Sequence, residues 1–234
     1  MTLTAQEFLR IADHTLLAPG TTQAELDAFL QSARELGVAR VCISPSLLPP
    51  NPAALGDLEI VTVVGFPSGA HAADIKAAEA AHAARHGAAE LDMVVNAGLV
   101  RASDWSAVET EIATVRAAAP GRVLKVILET AALTNDEIVG ACEAAARAGA
   151  DFVKTSTGFH PAGGATVHAV RLMAHTVGGR LGVKASGGIR TAAAVRELWA
   201  AGATRFGVSA TAAIHQHWDD TAHGTADDPA ATTY

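Results

Sequence analysis

Two lysines stand inside short apolar runs, Lys154 in DFVKTSTGF and Lys184 in GVKASGGIR. Runs of this kind are buried, and an unpaired ammonium in such a place is costly. Burial and a neighbouring like charge both lower a lysine pKa. With an ordinary pKa of about 10.4, only about 1 lysine in 2,500 is neutral at pH 7. A drop of about three units makes roughly a quarter of it neutral. A neutral, nucleophilic amine is what Schiff-base chemistry on a carbonyl compound requires.

Strand phase enlarges this group. Alternate residues of a strand share a face. Asp92 in ELDMVVN is in phase with Val94 and Asn96, and Lys125 in VLKVILET with Ile127 and Glu129. Lys154 is in phase with Phe152 and Ser156, and Lys184 with Ser186. The other face of each run is apolar, so the charges belong in the interior of a sheet closed on itself. Asp92, or a water it holds, would move the protons that carbinolamine and enamine steps need. The competing reading is an internal salt-bridge network, for instance Asp92 with Lys125 and Lys184, since structural networks also perturb pKa values. Three strand lysines against two carboxylates weigh against it, because a purely structural network needs no excess of cations.

A second constellation follows Lys184. Gly187 and Gly188 end its run, and Gly207 lies in the next one, RFGVSA. Barrels commonly bind phosphate at these loops through backbone N–H groups and a helix N-terminus. Ser186, Arg190 and Ser209 are side-chain donors in the same stretch. Tight turns are the competing explanation. Histidine is plentiful, but His82 and His86 in HAARH lack the carboxylate of a zinc helix and read as a solvated face. No metal and no cofactor are expected. Cys42, at the end of RVCIS, reads as a small buried hydrophobe.

Positioning these residues requires a regular scaffold. Strand-like runs at 40–44, 59–67, 90–96, 123–130, 151–158, 182–188 and 205–210 alternate with helical ones. A further strand around Ala12–Leu16 follows an N-terminal helix over 4–11. Glycines 37, 87, 149 and 202 close Ala- and Leu-rich stretches, as left-handed C-caps do. Val/Ile-rich strands alternating with helices imply a parallel sheet covered on both sides. Eight such units in 234 residues fit a (β/α)8 TIM barrel, class α/β. An open doubly wound sheet is the runner-up, though it calls for a glycine-rich first turn. One domain is read over 1–217. The remainder, 218–234, is small, polar and acidic, has too little apolar surface to order itself, and ends in Tyr234.

Composition narrows the partners. The net charge of -7 argues against nucleic acid and acidic membrane surfaces. Two cysteines far apart suit a reducing compartment. MTLTAQEFLR lacks a signal-peptide pattern, and no apolar run is long enough to span a membrane. A cytoplasmic protein is expected.

The segments ADHTLL, RVCISP, VVGFPSG, ELDMVVNAG, KVILET, DFVKTSTGF, GVKASGGIR and RFGVS occur in order over residues 12–209. Together they resemble the deoxyribose-phosphate aldolases, a class I aldolase family. The resemblance implies reversible cleavage of 2-deoxy-D-ribose 5-phosphate to acetaldehyde and D-glyceraldehyde 3-phosphate without a cofactor. It implies a Schiff base on Lys154, with Lys184 as the neighbouring cation and Asp92 as the relay carboxylate. It places Asp13 and Thr15 near the substrate, and Lys125, read above from strand phase, is expected on the substrate side with them. Gly158, Gly187, Gly188, Arg190, Gly207 and Ser209 fall on the phosphate side, joined by the Ser186 donor noted above. A homodimer or homotetramer is implied as well.

Two features depart from the family pattern. Ala210 stands where a second serine is frequent, and the linker to Tyr234 is acidic. In some members a terminal tyrosine assists proton transfer. If Tyr234 does so, its deletion slows hydrogen exchange at the methyl group of acetaldehyde, measured by NMR in deuterated buffer. Unchanged exchange would make it a passive end.

Overall fold

The structure is a computed structural model and describes residues 3–220. Its strands are β1 (Ala12–Leu16), β2 (Arg40–Ile43), β3 (Glu59–Val64), β4 (Ala88–Val94), β5 (Val123–Ile127), β6 (Phe152–Lys154), β7 (Gly182–Ser186) and β8 (Arg205–Val208). Each pairs in parallel with its sequence neighbour, and β8 returns to β1 through Ala12↔Phe206 and His14↔Val208. That last ladder closes the (β/α)8 barrel and excludes an open sheet.

Local chemistry sets the helix ends. Thr4, Thr22 and Thr134 each form a capping box with the glutamate three residues on. One such cap contributes about 1 kcal/mol. Gly37 stops the helix Gln23–Leu36 at φ 78°, where its N–H reaches the carbonyls of Ala33 and Arg34. A residue with a Cβ is strained in that conformation.

The helices bury the outer face of the sheet in one continuous apolar layer. The inside of the barrel is divided. Leu17, Cys42, Val61 and Val63 make a small apolar patch that Phe66 and Phe159 cover. The opposite side is filled by buried ionic side chains.

The strands stop short of the sequence reading at their C-terminal ends. β3 ends at Val64, β4 at Val94, β5 at Ile127, β6 at Lys154, β7 at Ser186 and β8 at Val208. Beyond these points the chain leaves the ladder, yet the first residue or more past β3 to β7 stays buried, so its composition still resembles a strand. Lys154 is thus the last residue of its strand. The boundary drawn at 217 also shifts. Trp218 is buried, stacks on Phe8 at 5.1 Å and lies 4.9 Å from the Arg196 guanidinium. Its indole is held by the N-terminal helix it covers. Tyr234 lies outside the described residues.

His14 of β1 is buried, stacks on Phe29 at 4.5 Å, and its Nδ1 lies 3.0 Å from the Thr211 hydroxyl. Burial lowers its pKa from 6.5 to about 4. Between those values the unfolded chain takes up a proton that the folded chain refuses. Stability is therefore intact above about pH 6.5 and falls by roughly 3 kcal/mol towards pH 4 from this residue alone. Urea unfolding of His14→Gln is expected to show a correspondingly flatter acid limb than the parent chain.

Candidate active site

Register brings the charged strand residues together. Asp92 lies opposite Lys125, and Lys154 opposite Lys184, which in turn lies opposite Arg205. All point into the barrel. Asp92 accepts from three ammonium groups, Lys125 at 2.8 Å, Lys154 at 2.8 Å and Lys184 at 2.6 Å. Lys184 also donates to Asp13. Asp13 accepts from Arg205 Nε at 2.7 Å, and Arg205 pairs with Glu90 as well. Glu90 lies 2.6 Å from Lys125 Nζ and 3.2 Å from Arg40 Nε.

The partners are shared unequally. Lys125 meets Glu90 and Asp92, and Lys184 meets Asp13 and Asp92. Lys154 meets Asp92 alone. Burial lowers the pKa of Lys154, and the nearby Lys184 lowers it further; Asp92 offsets only part. Burial would lower Lys184 too, but Asp13 and Asp92 outweigh it and keep this ammonium charged. Burial opposes ionisation of both carboxyls, yet the surrounding cations prevail. Asp92 is held well below the usual range, and Asp13 falls to about 2. The result is one amine with a lowered pKa beside a cation that is held charged.

A cavity of about 650 Å³ opens at the C-terminal ends of the strands. Of the residues expected near the substrate or its phosphate, Thr15, Gly158, Gly187, Gly188, Arg190, Gly207 and Ser209 line it. Gly207 is the wall between cavity and lysines. A Cβ there would lie 3.0 Å from Lys184 Cε and collide with Ser186 Oγ. A phosphate in the cavity would therefore sit one backbone thickness from the charged pair.

Some expected residues lie elsewhere. Ser186 is buried behind Gly207 instead of lining the cavity. Lys125 is fully buried and belongs to the ionic layer beneath, where Glu90 and Asp92 hold it away from any phosphate. Asp13 is likewise interior. Glu129, in phase with Lys125 in the sequence, leaves the strand and binds Thr157. Cys42 faces the apolar patch, where burial pushes its thiol up to about 11.

The sequence reading missed Glu90 and Arg205, although each is a charge inside a strand run, in phase with Asp92 and Gly207 respectively. It also missed the Lys76–Glu111 pair. Lys76, fully buried, donates to the Val94 carbonyl at 2.7 Å, and Glu111 accepts from the Asn96 amide at 2.9 Å. This pair pins the end of β4, two residues past Asp92. Both residues sit on helices, where charge is ordinary and nothing in the sequence marks them.

An amine with a depressed pKa at the mouth of a parallel barrel, backed by a retained cation and a carboxylate, is the equipment of the barrel aldolases. Fold and site assign the chain to that class. The family described as DeoC/LacD family aldolase matches residues 9–217, and the chain belongs to it. Over 203 residues it is 61% identical to the deoxyribose-phosphate aldolase of Nocardia farcinica, covering 86% of this chain and 90% of that one. Identity to the Corynebacterium diphtheriae deoxyribose-phosphate aldolase is 56% over 212 residues, 90% of this chain and 96% of the other. A tetrameric deoxyribose phosphate aldolase from Aeropyrum pernix superposes with TM-score 0.83 at 29% identity over 94% of each chain. An aldolase designated QR15 gives TM-score 0.85 at 36% identity, covering 91% of this chain and 96% of that one.

The unequal sharing of carboxylates yields a test. Lys184→Leu removes a cation that lowers Lys154 and leaves Asp92 less contested, so the Lys154 pKa rises. Turnover at pH 7 is expected to fall by about a hundredfold or more, through lost neutral amine and lost proton transfer. The pH dependence of imine trapping should shift to higher pH, with the folded circular-dichroism spectrum retained. Near-normal turnover would remove Lys184 from the chemistry.

Proposed function

We propose that the chain cleaves 2-deoxy-D-ribose 5-phosphate reversibly to acetaldehyde and D-glyceraldehyde 3-phosphate through an imine on Lys154. The observation that carries this reading is that Lys154, alone among the three interior lysines, has a single carboxylate partner. It is the amine whose pKa is lowered, while the neighbouring Lys184 is held charged.

In this reading neutral Lys154 attacks C1 of the open-chain sugar and gives a carbinolamine. Loss of water, with a proton delivered to the departing hydroxyl, gives the protonated imine. A base then removes the proton of the C3 hydroxyl. The C2–C3 bond breaks, its electrons move into the C1–C2 enamine, and C3 leaves as the carbonyl of glyceraldehyde 3-phosphate. Protonation at C2 and hydrolysis release acetaldehyde and restore Lys154. Asp92 and Lys184 touch each other and flank the amine, so a proton taken up by one is balanced by the other. The fixed charges are already in place and need no reorganisation.

The glycine-lined cavity fits the 5-phosphate. Gly158, Gly187, Gly188 and Gly207 allow the anion to approach the backbone, and Arg190 adds the positive charge that the acidic chain otherwise lacks. Thr15 and Ser209 line the same cavity and are secondary to these amides. The patch formed by Leu17, Cys42, Val61 and Val63 suits the two-carbon fragment. The reading extends to a homodimer or homotetramer, supported by the tetrameric Aeropyrum pernix relative, and to a cytoplasmic setting. Among the described residues no helix is long and apolar enough to cross a membrane. Tyr234 stays a proposed participant in proton transfer.

Borohydride reduction in the presence of acetaldehyde tests the mechanism. The expected product is one two-carbon adduct per chain on Lys154, located by peptide mass analysis and lost in Lys154→Ala. A barrel that only binds sugar phosphates would give no adduct, and that result would sink the proposal.

A further inference from the structure

Glu129 follows the end of β5 with a left-handed backbone, φ 62° and ψ 53°. For a residue with a Cβ this conformation is strained and calls for a compensating interaction. The ionic network does not use its carboxylate, although the residue is buried. Both carboxylate oxygens instead accept from the Thr157 amide at 3.3 Å, and one accepts from the Thr157 hydroxyl at 2.5 Å. That hydroxyl in turn accepts from the Phe159 amide at 3.1 Å. The chain of bonds Phe159 to Thr157 to Glu129 fixes the turn that begins three residues after Lys154.

The turn is a partition. Gly158, at φ 85°, lines the phosphate-side cavity, and His160 at the end of the turn borders this cavity and the next. Thr157 and Phe159 face a second cavity of about 380 Å³ on the other side, and Glu129 stands in the wall of that second cavity. Phe159 also meets Phe66 at 5.1 Å over the apolar patch. Gly158 packs near Gly187, so its backbone position shapes the anion pocket directly.

We propose that Glu129 is a positioning residue, bracing the Thr157–Phe159 turn from behind and thereby presenting the Gly158 backbone to the substrate's phosphate. It acts through Thr157 and touches neither the reacting atoms nor the ionic network. The inference rests on the aldolase reading above, and the wild-type activity and Lys154 adduct test that reading independently.

The test compares kcat/KM for 2-deoxyribose 5-phosphate with that for unphosphorylated 2-deoxyribose. Damage to the fold, to Lys154 or to the Phe159 wall scales both substrates alike, whereas a displaced Gly158 penalises only the phosphorylated one. Glu129→Gly keeps the left-handed backbone without strain and removes the carboxylate. Thr157→Val removes the hydroxyl that links Glu129 to Phe159. Each is expected to raise KM for the phosphorylated sugar and cut the preference ratio by about tenfold, the scale of one hydrogen bond to a charged group. Thr157→Ser, which restores the hydroxyl, should return the ratio to within about twofold of wild type. A ratio unchanged in Thr157→Val, or a parallel loss on both substrates, overturns the proposal. Thr157→Val decides the matter even if Glu129→Gly fails to fold.

Discussion

Asp92 holds three ammonium groups at once, and the arrangement of the barrel interior depends on that sharing. Buried lysines are expensive without a counter-charge. One carboxylate cannot fully compensate three of them. Glu90 and Asp13 complete the compensation for Lys125 and Lys184 but do not reach Lys154. The shortfall is therefore placed at one position, at the end of β6 and next to the cavity. A lysine with a lowered pKa is what remains when a fixed number of anions is distributed unevenly among more cations.

The same economy explains the second layer. Arg205 and Glu90 sit deeper in the barrel and keep Asp13 and Lys125 occupied. Their contribution lies in fixing the charge states of the residues above them. Burial alone would lower the Lys184 pKa, whereas two carboxylates keep it charged. Two adjacent lysines of identical chemistry thus have their pKa values moved in opposite directions because their neighbours differ.

Much of this was legible in the chain. A charge in a Val/Ile-rich run is an anomaly visible without coordinates, and period-two phase put Asp92, Lys125, Lys154 and Lys184 on one side of their strands. The glycines after β7 and in β8 marked the cavity they line for a comparable reason, since close backbone approach excludes side chains. Glu111 and Lys76 were invisible because a charged residue on a helix looks like solvent-facing surface. Glu129 was misplaced because phase counting continued past Ile127, where the strand ends and the backbone turns left-handed.

Sequence alone determined the element types, their order, the parallel barrel and the set of interior charges. Each of these follows from local periodicity and from the cost of burying polar groups. The tertiary structure decided the pairing: which lysine has one carboxylate and which have more, that Lys125 and Ser186 lie off the cavity surface, and that Glu129 bonds a loop instead of the ionic layer. Those outcomes turn on distances of a few ångströms between strands far apart in the chain. Electrostatic interactions in a desolvated interior change steeply over such distances, and residue type and spacing along one strand do not encode them.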